Sequence, residues 1–253
     1  MTDLSGRVAI VTGAAQGIGA AVAERLAADG AAVAVVDLNL EGAEEVADVI
    51  RQRGGSAIAV RCDVGNAIDV AQAVERAAAE LGPVGVLVNN AGVLRDNMLF
   101  KMTEEDWDTV LDTHLKGTFL FTKAAQAHMV KANWGKVVNV SSVAALGKVG
   151  QSNYSAAKAG IQAITKTHAL ELGRFNINVN SIAPGFVETP MIRSTAERRG
   201  LDYEKYKQGI IDANPMRRVA MPSDIAGVVS LLCSDDASFV NGQVVYVAGG
   251  PRA

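Results

Sequence analysis

The stretch VAIVTGAAQGIG, Val8 to Gly19, decides the fold. Its first residues are an unbroken apolar run, the pattern of a strand buried on both faces. Three glycines then follow, Gly13, Gly17 and Gly19. Glycine permits left-handed turns and a close approach of the backbone to a ligand. The residues beyond have helical periodicity. Strand, glycine turn and helix in that order place backbone N–H groups where a pyrophosphate can sit. The spacing is G-x-x-x-G-x-G rather than G-x-G-x-x-G. A glycine-rich turn alone is weak evidence, but this one has the flanking elements that the motif requires.

Working outward, short apolar runs alternate with longer helix-periodic segments. RVAIVT, AAVAVVD, AIAVRCD, VGVLVNN, KVVNVSS, INVNSIAP and QVVYVAGG read as strands, nearly continuous in Val, Ile and Ala. Helices are expected near 17–29, 41–53, 66–81, 103–132, 154–173 and 222–234, the fourth opening on Thr103 as N-cap with acids in its first turn. The alternation predicts an α/β fold, a single doubly wound, Rossmann-type parallel sheet with helices on both faces. No linker or fixed-period repeat interrupts it, so residues 1–253 read as one domain for dinucleotide binding and catalysis. The least regular part, roughly 185–220, follows a strand end and reads as a substrate lid.

Composition narrows the function classes. Of 253 residues, 49% are hydrophobic and 5% aromatic, which suits a compact α/β enzyme. The net charge of −3 without a basic run argues against nucleic acid as a partner. Cys62 and Cys233 form no metal or disulfide pattern, read as small buried apolar residues, and no metal is expected. No signal peptide and no membrane span are read, so the expected location is the cytoplasm.

The other strand ends carry polar groups at the same sheet edge. Asp37 ends the second strand, where a carboxylate can accept both ribose hydroxyls and repel a 2′-phosphate. None of Ala14, Ala15 or Gln16 is basic, so nothing in the turn compensates such a phosphate. NAD(H) is therefore expected over NADP(H). Asp63 ends the third strand and is a candidate for the adenine amino group. The fourth ends in NNAG, Asn89 to Gly92.

YSAAK, Tyr154 to Lys158, opens a helix. Positions four apart share a face, and a nearby ammonium favours the phenolate. That gives a proton donor usable near neutrality. The plain alternative is a Tyr at a helix start beside a solvated Lys.

Together TGAAQGIG, NNAG, YSAAK and IAPG, in this order and at these separations, resemble the short-chain dehydrogenases/reductases over essentially the whole chain. The resemblance implies an NAD(P)-dependent oxidoreductase, commonly tetrameric. It implies Tyr154 as the acid/base, with Lys158 lowering its pKa and binding the nicotinamide ribose. It implies a Ser that polarises the substrate carbonyl. The family's usual separation selects Ser141, but members with the same SS pair use the second, and the loop VAALGKVGQSN looks one residue short, so Ser142 is the choice. Cofactor contacts implied are Gly13, Gln16, Gly17, Ile18 and Gly19 in the turn, then Asp37, Asp63 and Val64. Asn90, Ala91, Gly92, Tyr154 and Lys158 follow, with Pro184, Val187 by its backbone and Thr189 by its hydroxyl.

One position departs. Where the family carries a helix Asn that relays protons through water to the Lys, this chain has His114 in DTHLKGTF. It either replaces that Asn or is a helix residue satisfied by a carbonyl. HLKG, AGVLRD and GQSNYSAAKAG are similar to 3-oxoacyl-[acyl-carrier-protein] reductases and (3R)-hydroxyacyl-CoA dehydrogenases. The expected reaction interconverts a 3-oxoacyl and a 3-hydroxyacyl thioester. Alternatives are a sugar, polyol or steroid alcohol dehydrogenase, or a cofactor-binding regulator without catalysis. Lys148, Arg193 and Lys205 are positioned to meet an acidic carrier, although solvated surface charge explains each as well. The resemblance implies a homotetramer in which helices 103–132 and 154–173 pair between subunits.

Overall fold

The computed structural model of the chain describes residues 2–190, 200 and 202–251. Its strands are β1 Val8–Thr12, β2 Ala32–Asp37, β3 Ala57–Arg61, β4 Val84–Asn89, β5 Gly135–Val140, β6 Ile177–Pro184 and β7 Val244–Val247. They form one sheet in the order β3-β2-β1-β4-β5-β6-β7, and every neighbouring pair is parallel. The sequence expectation of a doubly wound sheet is met. The order reverses between β1 and β4, which opens a crevice at the carboxyl ends of the strands, the usual ligand position of such sheets.

Alternate side chains of each strand enter different cores. Ala9, Val11, Val33 and Val35 pack with Val22, Leu26 and Ile225 on one face. Val8, Ile10, Ala34 and Val36 pack with Val70, Phe121 and Met129 on the other. This two-sided burial explains why the strands lack polar alternation.

Helices α1 Gly17–Ala28, α2 Leu40–Gln52 and α3 Ala67–Leu81 connect the first four strands. The Asn39 and Asn66 side chains cap α2 and α3 by accepting from first-turn N–H groups. The next helical stretch opens with the expected Thr103 cap, and Asp106 completes a capping box. The expected single helix 103–132 is interrupted: α4 Glu104–Leu111 passes into a π-helical turn, Asp112–Lys116, before α5 Gly117–Ala132. Asn133, at φ 49°, ends α5 in the left-handed conformation. Helix α6, Ser152–Leu172, starts slightly before the expected 154, so Tyr154 lies inside its first turn.

The described part of the segment 185–220 is more regular than its sequence suggested. It contains α7, Tyr203–Ala213, capped by Asp202, whose side chain accepts from the N–H groups of Glu204 and Lys205. Arg193 lies outside the described residues. Helix α8, Pro222–Cys233, packs on α1 and leads to β7. Among the described residues no helix is long and apolar enough to cross a membrane. Cys62 and Cys233 are buried, unbonded thiols, and burial pushes both up to about 12.

Candidate active site

A cavity of about 870 Å³ lies at the carboxyl edge of the sheet. At one end it is lined by Gly13, Gln16, Gly17 and Ile18. Gly13 and Gly17 have φ of 62° and 60°, and a Cβ on Gly13 would stand 2.6 Å from Ala91 Cα. Gly19 sits behind the turn rather than on the cavity. A Cβ there would come within 2.6 Å of the Asn90 side chain, so its role is close packing of helix against strand. Gln16 precedes α1 without a side-chain cap, and the first turn of α1 holds no acid. Its orphan N–H groups and the positive end of its dipole suit an anionic group. These residues fit the pyrophosphate of a dinucleotide.

Asp37 is held ready beside this turn. Its Oδ2 accepts from Ala15 N at 2.9 Å and its Oδ1 from Asn39 N at 3.0 Å. Each carboxylate oxygen retains a further lone-pair site for a hydroxyl donor. Arg61 pairs with Asp37 in sheet register, yet it does not line the cavity, whereas Leu38 does. Asp63 and Val64 line the same end, and Asp63 Oδ1 accepts from Gly65 N at 2.9 Å.

Asn90, Ala91 and Gly92 form the floor. Asn90 Nδ2 donates to Thr12 O and Gly13 O, both at 2.9 Å. Thr12 is a residue that sequence reasoning missed. Its Oγ1 accepts from both Asn90 N and Ala91 N at 3.0 Å, which locks the ends of β1 and β4 together. Pro184, Val187 and Thr189 close the cavity beyond β6. A bridge joins this segment to Ala220 through Phe186 O and Glu188 N, so it uses neither the amide nor the carbonyl of Val187.

Ser142, Tyr154 and Lys158 converge on the cavity wall. Ser142 follows β5 and accepts from Ala144 N at 3.1 Å. Ser142 lies near enough to Tyr154 for its hydroxyl to lower the phenol's pKa. Ser141, though it also lines the cavity, is engaged elsewhere. Its Oγ donates to Lys158 O at 2.8 Å and accepts from Gln162 Nε2 at 3.1 Å. Ser142, rather than Ser141, is the serine whose hydroxyl acts on the phenol.

Lys158 Nζ donates to Val140 O at 2.6 Å and lies 5.4 Å from the Tyr154 ring centre. Burial lowers its pKa to about 7. Tyr154 departs from the sequence expectation. Its pKa is raised to about 12, first by burial, against the lowering effect of the Ser142 bond, with Asp96 adding to the rise. The expected depression by Lys158 does not appear. Removing a phenolate from water costs more here than this ammonium returns, because burial weakens the ammonium's own hold on its proton.

His114 lies in the π-turn, buried, with its ring edge-on to Tyr154 at 5.2 Å between centres. Its Nε2 is within 2.9 Å of Val93 O and 3.1 Å of Val93 N, and its Nδ1 is buried without a partner. Burial first, then the Lys158 charge, depresses its pKa well below the usual 6.5, with the Val93 bond opposing. The ring is neutral at physiological pH.

The cavity lining also includes the apolar Leu94, Val143, Leu146, Phe186 and Ile210, together with the polar Lys148, Gln151 and Asn214. Helix α7 forms part of this wall. Lys207 Nζ bonds both Glu188 oxygens at 2.8 Å, and Tyr206 packs edge-on against Phe186. Lys148 is exposed and lines the cavity; Lys205 is exposed and paired with Asp202 at 3.7 Å.

Residues 13–251 match the family profile described as Enoyl-(Acyl carrier protein) reductase. The short-chain reductase protein NovJ of Streptomyces niveus is 44% identical over 96% of this chain and 93% of its own. The (2S)-[(R)-hydroxy(phenyl)methyl]succinyl-CoA dehydrogenase subunit BbsD of Thauera aromatica is 40% identical, covering 98% and 97%. The 3-oxoacyl-[acyl-carrier-protein] reductase FabG of Thermotoga maritima is 39% identical, covering 98% of each chain. A solved gluconate 5-dehydrogenase from Burkholderia cenocepacia, in complex with NADP and tartrate, superposes with a TM-score of 0.91 at 32% identity, covering 98% of this chain and 96% of its own. The chain belongs to the short-chain dehydrogenase/reductase family of nicotinamide-dependent oxidoreductases.

Proposed function

We propose that the protein interconverts a 3-oxoacyl and a 3-hydroxyacyl thioester, with NAD(H) as the preferred partner in hydride transfer. The observation that carries the reading is that Ser142, Tyr154 and Lys158 line one cavity together with the glycine turn and a set of apolar residues. A nicotinamide cofactor bound on the glycine turn supplies or accepts the hydride. Ser142 orients and polarises the substrate oxygen. Tyr154 transfers the proton to or from that oxygen. With its pKa raised to about 12, Tyr154 is protonated at neutral pH and so ready for the reductive direction. Lys158, anchored by Val140 O, stands beside the phenol and would hold the nicotinamide ribose of a bound cofactor. His114 takes the place of the family's relay Asn, holding a water through its unpartnered nitrogen.

Asp37 supports NAD(H), since a 2′-phosphate would meet its carboxylate, and among the described residues no arginine lines the cavity to offset the repulsion. The thioester assignment draws support from the names of two relatives and from the apolar residues of the cavity lining. A sugar or polyol dehydrogenase is the second reading, favoured by the likeness to a gluconate 5-dehydrogenase. Such a substrate would ask for several hydroxyl partners, which Gln151 and Asn214 could supply, but Leu94, Val143 and Leu146 make much of the lining apolar. Acetoacetyl-CoA, longer 3-oxoacyl thioesters and polyols, assayed by NADH absorbance, separate the readings. Turnover of thioesters is expected, and turnover of polyols alone would sink the proposal. Tight NADH binding with no turnover at all would favour the regulator.

The 185–220 segment serves as the lid of a single domain, with α7 among its described residues. A homotetramer with two-fold axes is also proposed, because Trp107, Phe119 and Leu170 on α4, α5 and α6 leave 40%, 46% and 86% of their surface exposed. A monomer by light scattering at micromolar concentration would refute it.

A further inference from the structure

The first turn of α6 carries Tyr154, and side chains with no role above tie that turn to the segment after β4. Asn153 is fully buried. Its Nδ2 donates to Arg95 O and Asp106 O, both at 3.0 Å, and its Oδ1 accepts from Tyr154 N at 2.8 Å. Gln151, at the N-cap of α6, donates from Nε2 to Asp96 Oδ2 at 2.8 Å. Only the NH₂ end of an amide can face a carboxylate, so this orientation is fixed by chemistry. Asn97 N donates to Gly150 O at 2.9 Å. The Asp96 carboxylate stands beside the N-terminal end of a helix of 21 residues, where the dipole eases the burial of negative charge.

We propose that Asn153 and the Asp96–Gln151 pair are positioning residues that clamp the Tyr154 turn to the 91–106 segment and fix where the phenol stands on the cavity wall. The local chain cannot do this alone. A first helical turn lacks intrahelical partners for its N–H groups. The loop before it contains Gly147 and Gly150, both at positive φ, and so contributes little stiffness. The upstream end of the clamped segment, Gly92 and Val93, lines the cofactor half of the cavity and holds His114. The clamp therefore makes the cofactor wall and the proton donor one unit. The inference rests on the reading of Tyr154 as that donor.

The test is steady-state kinetics on the full-length enzyme with NADH and whichever thioester of the panel turns over. Asn153→Ala should lower kcat by about 10²-fold, the loss that a displacement of about 1 Å can bring. The KM for NADH should stay within about twofold, since the glycine turn is untouched. Measured on the plateau of the pH–rate profile, where the Asp96 charge no longer acts through the Tyr154 pKa, Asp96→Ala and Gln151→Ala should each cost about tenfold and the double variant little more than either, because both break one bond. Asp96→Asn should recover most of the loss, as its amide can still pair with Gln151. Wild-type kcat in all variants would overturn the proposal, as would losses that track the folded fraction by circular dichroism. If Asn153→Ala does not fold, the Asp96 and Gln151 variants decide alone. Tyr154→Phe is the control: if it stays active, the donor reading fails and the clamp with it. An inactive Tyr154→Phe beside fully active clamp variants overturns the clamp only.

Discussion

His114 and Val93 meet through one ring nitrogen twice over: Nε2 lies 3.1 Å from Val93 N and 2.9 Å from Val93 O. One nitrogen can serve only one of those groups at a time. The choice sets whether the buried Nδ1 carries a proton or a lone pair. In either tautomer Nδ1 needs a partner, and a water is the smallest that fits the relay role. His114→Asn should keep most activity, while His114→Leu should lose about 10²-fold if a positioned relay is interrupted. Because burial and Lys158 hold the ring neutral, wild type and His114→Asn should show the same number of limbs in a pH–rate profile across about pH 6–9. Wild-type turnover by His114→Leu would reduce the residue to packing.

The two serines after β5 should separate cleanly. Ser142→Ala removes the hydroxyl that lines the cavity beside Tyr154 and should lower kcat by about 10²-fold. Ser141→Ala removes a buried tie to Lys158 O and should show mainly as about 1–2 kcal/mol lost from denaturant unfolding. The reverse pattern, with kcat collapsing only for Ser141→Ala, would transfer the role.

Asp37 should govern the choice of cofactor. The unmodified enzyme is expected to have the higher kcat/KM with NADH, and Asp37→Ser or Asp37→Arg should relax or reverse that preference by removing the repulsive charge. Equal kcat/KM for NADH and NADPH in the unmodified protein would contradict the assignment.

Lys158 should leave a signature in stability. Its pKa falls from 10.5 to about 7 on folding, by burial. Between those values the unfolded chain holds more protons than the folded one, so stability rises with pH through the window. The slope is about 1.4 kcal/mol per pH unit at most, and it vanishes below about 7 and above about 10.5. Lys158→Met removes the titration. Wild-type stability relative to this variant should therefore climb from pH 7 to 10. A flat difference would show that the amine keeps its ordinary pKa.

Residues that repeat a simple pattern were readable in advance; those that depend on distant partners were not. The strands announced themselves because Val8–Val11 and Val33–Val36 are apolar on both faces. Asp37, Asn90 and Tyr154 stand at strand or helix ends, and element order alone brings them to one edge. Helix α7 was missed because its charged residues hid its periodicity, although Asp202 followed by Glu204 was a legible cap signal. The high Tyr154 pKa was not legible, since it depends on desolvation by parts of the chain far away. Thr12 is a plain strand-end threonine in sequence, and its partners, Asn90 and Ala91, lie 78 and 79 positions on.

The π-turn at Asp112–Lys116 shifts the angular phase of the helix that contains it. One surplus residue is about 100° of rotation, because each residue of an α-helix occupies that share of a turn. Faces of α5 counted forward from α4 therefore land more than a quarter-turn from where an ideal helical wheel puts them. The surplus residue gives α4 and α5 independent faces on one continuous rod, with His114 inside the change. In evolutionary terms the pair can be retuned separately: substitutions on the outer face of α4 need not compete with those that set the face of α5 against the sheet.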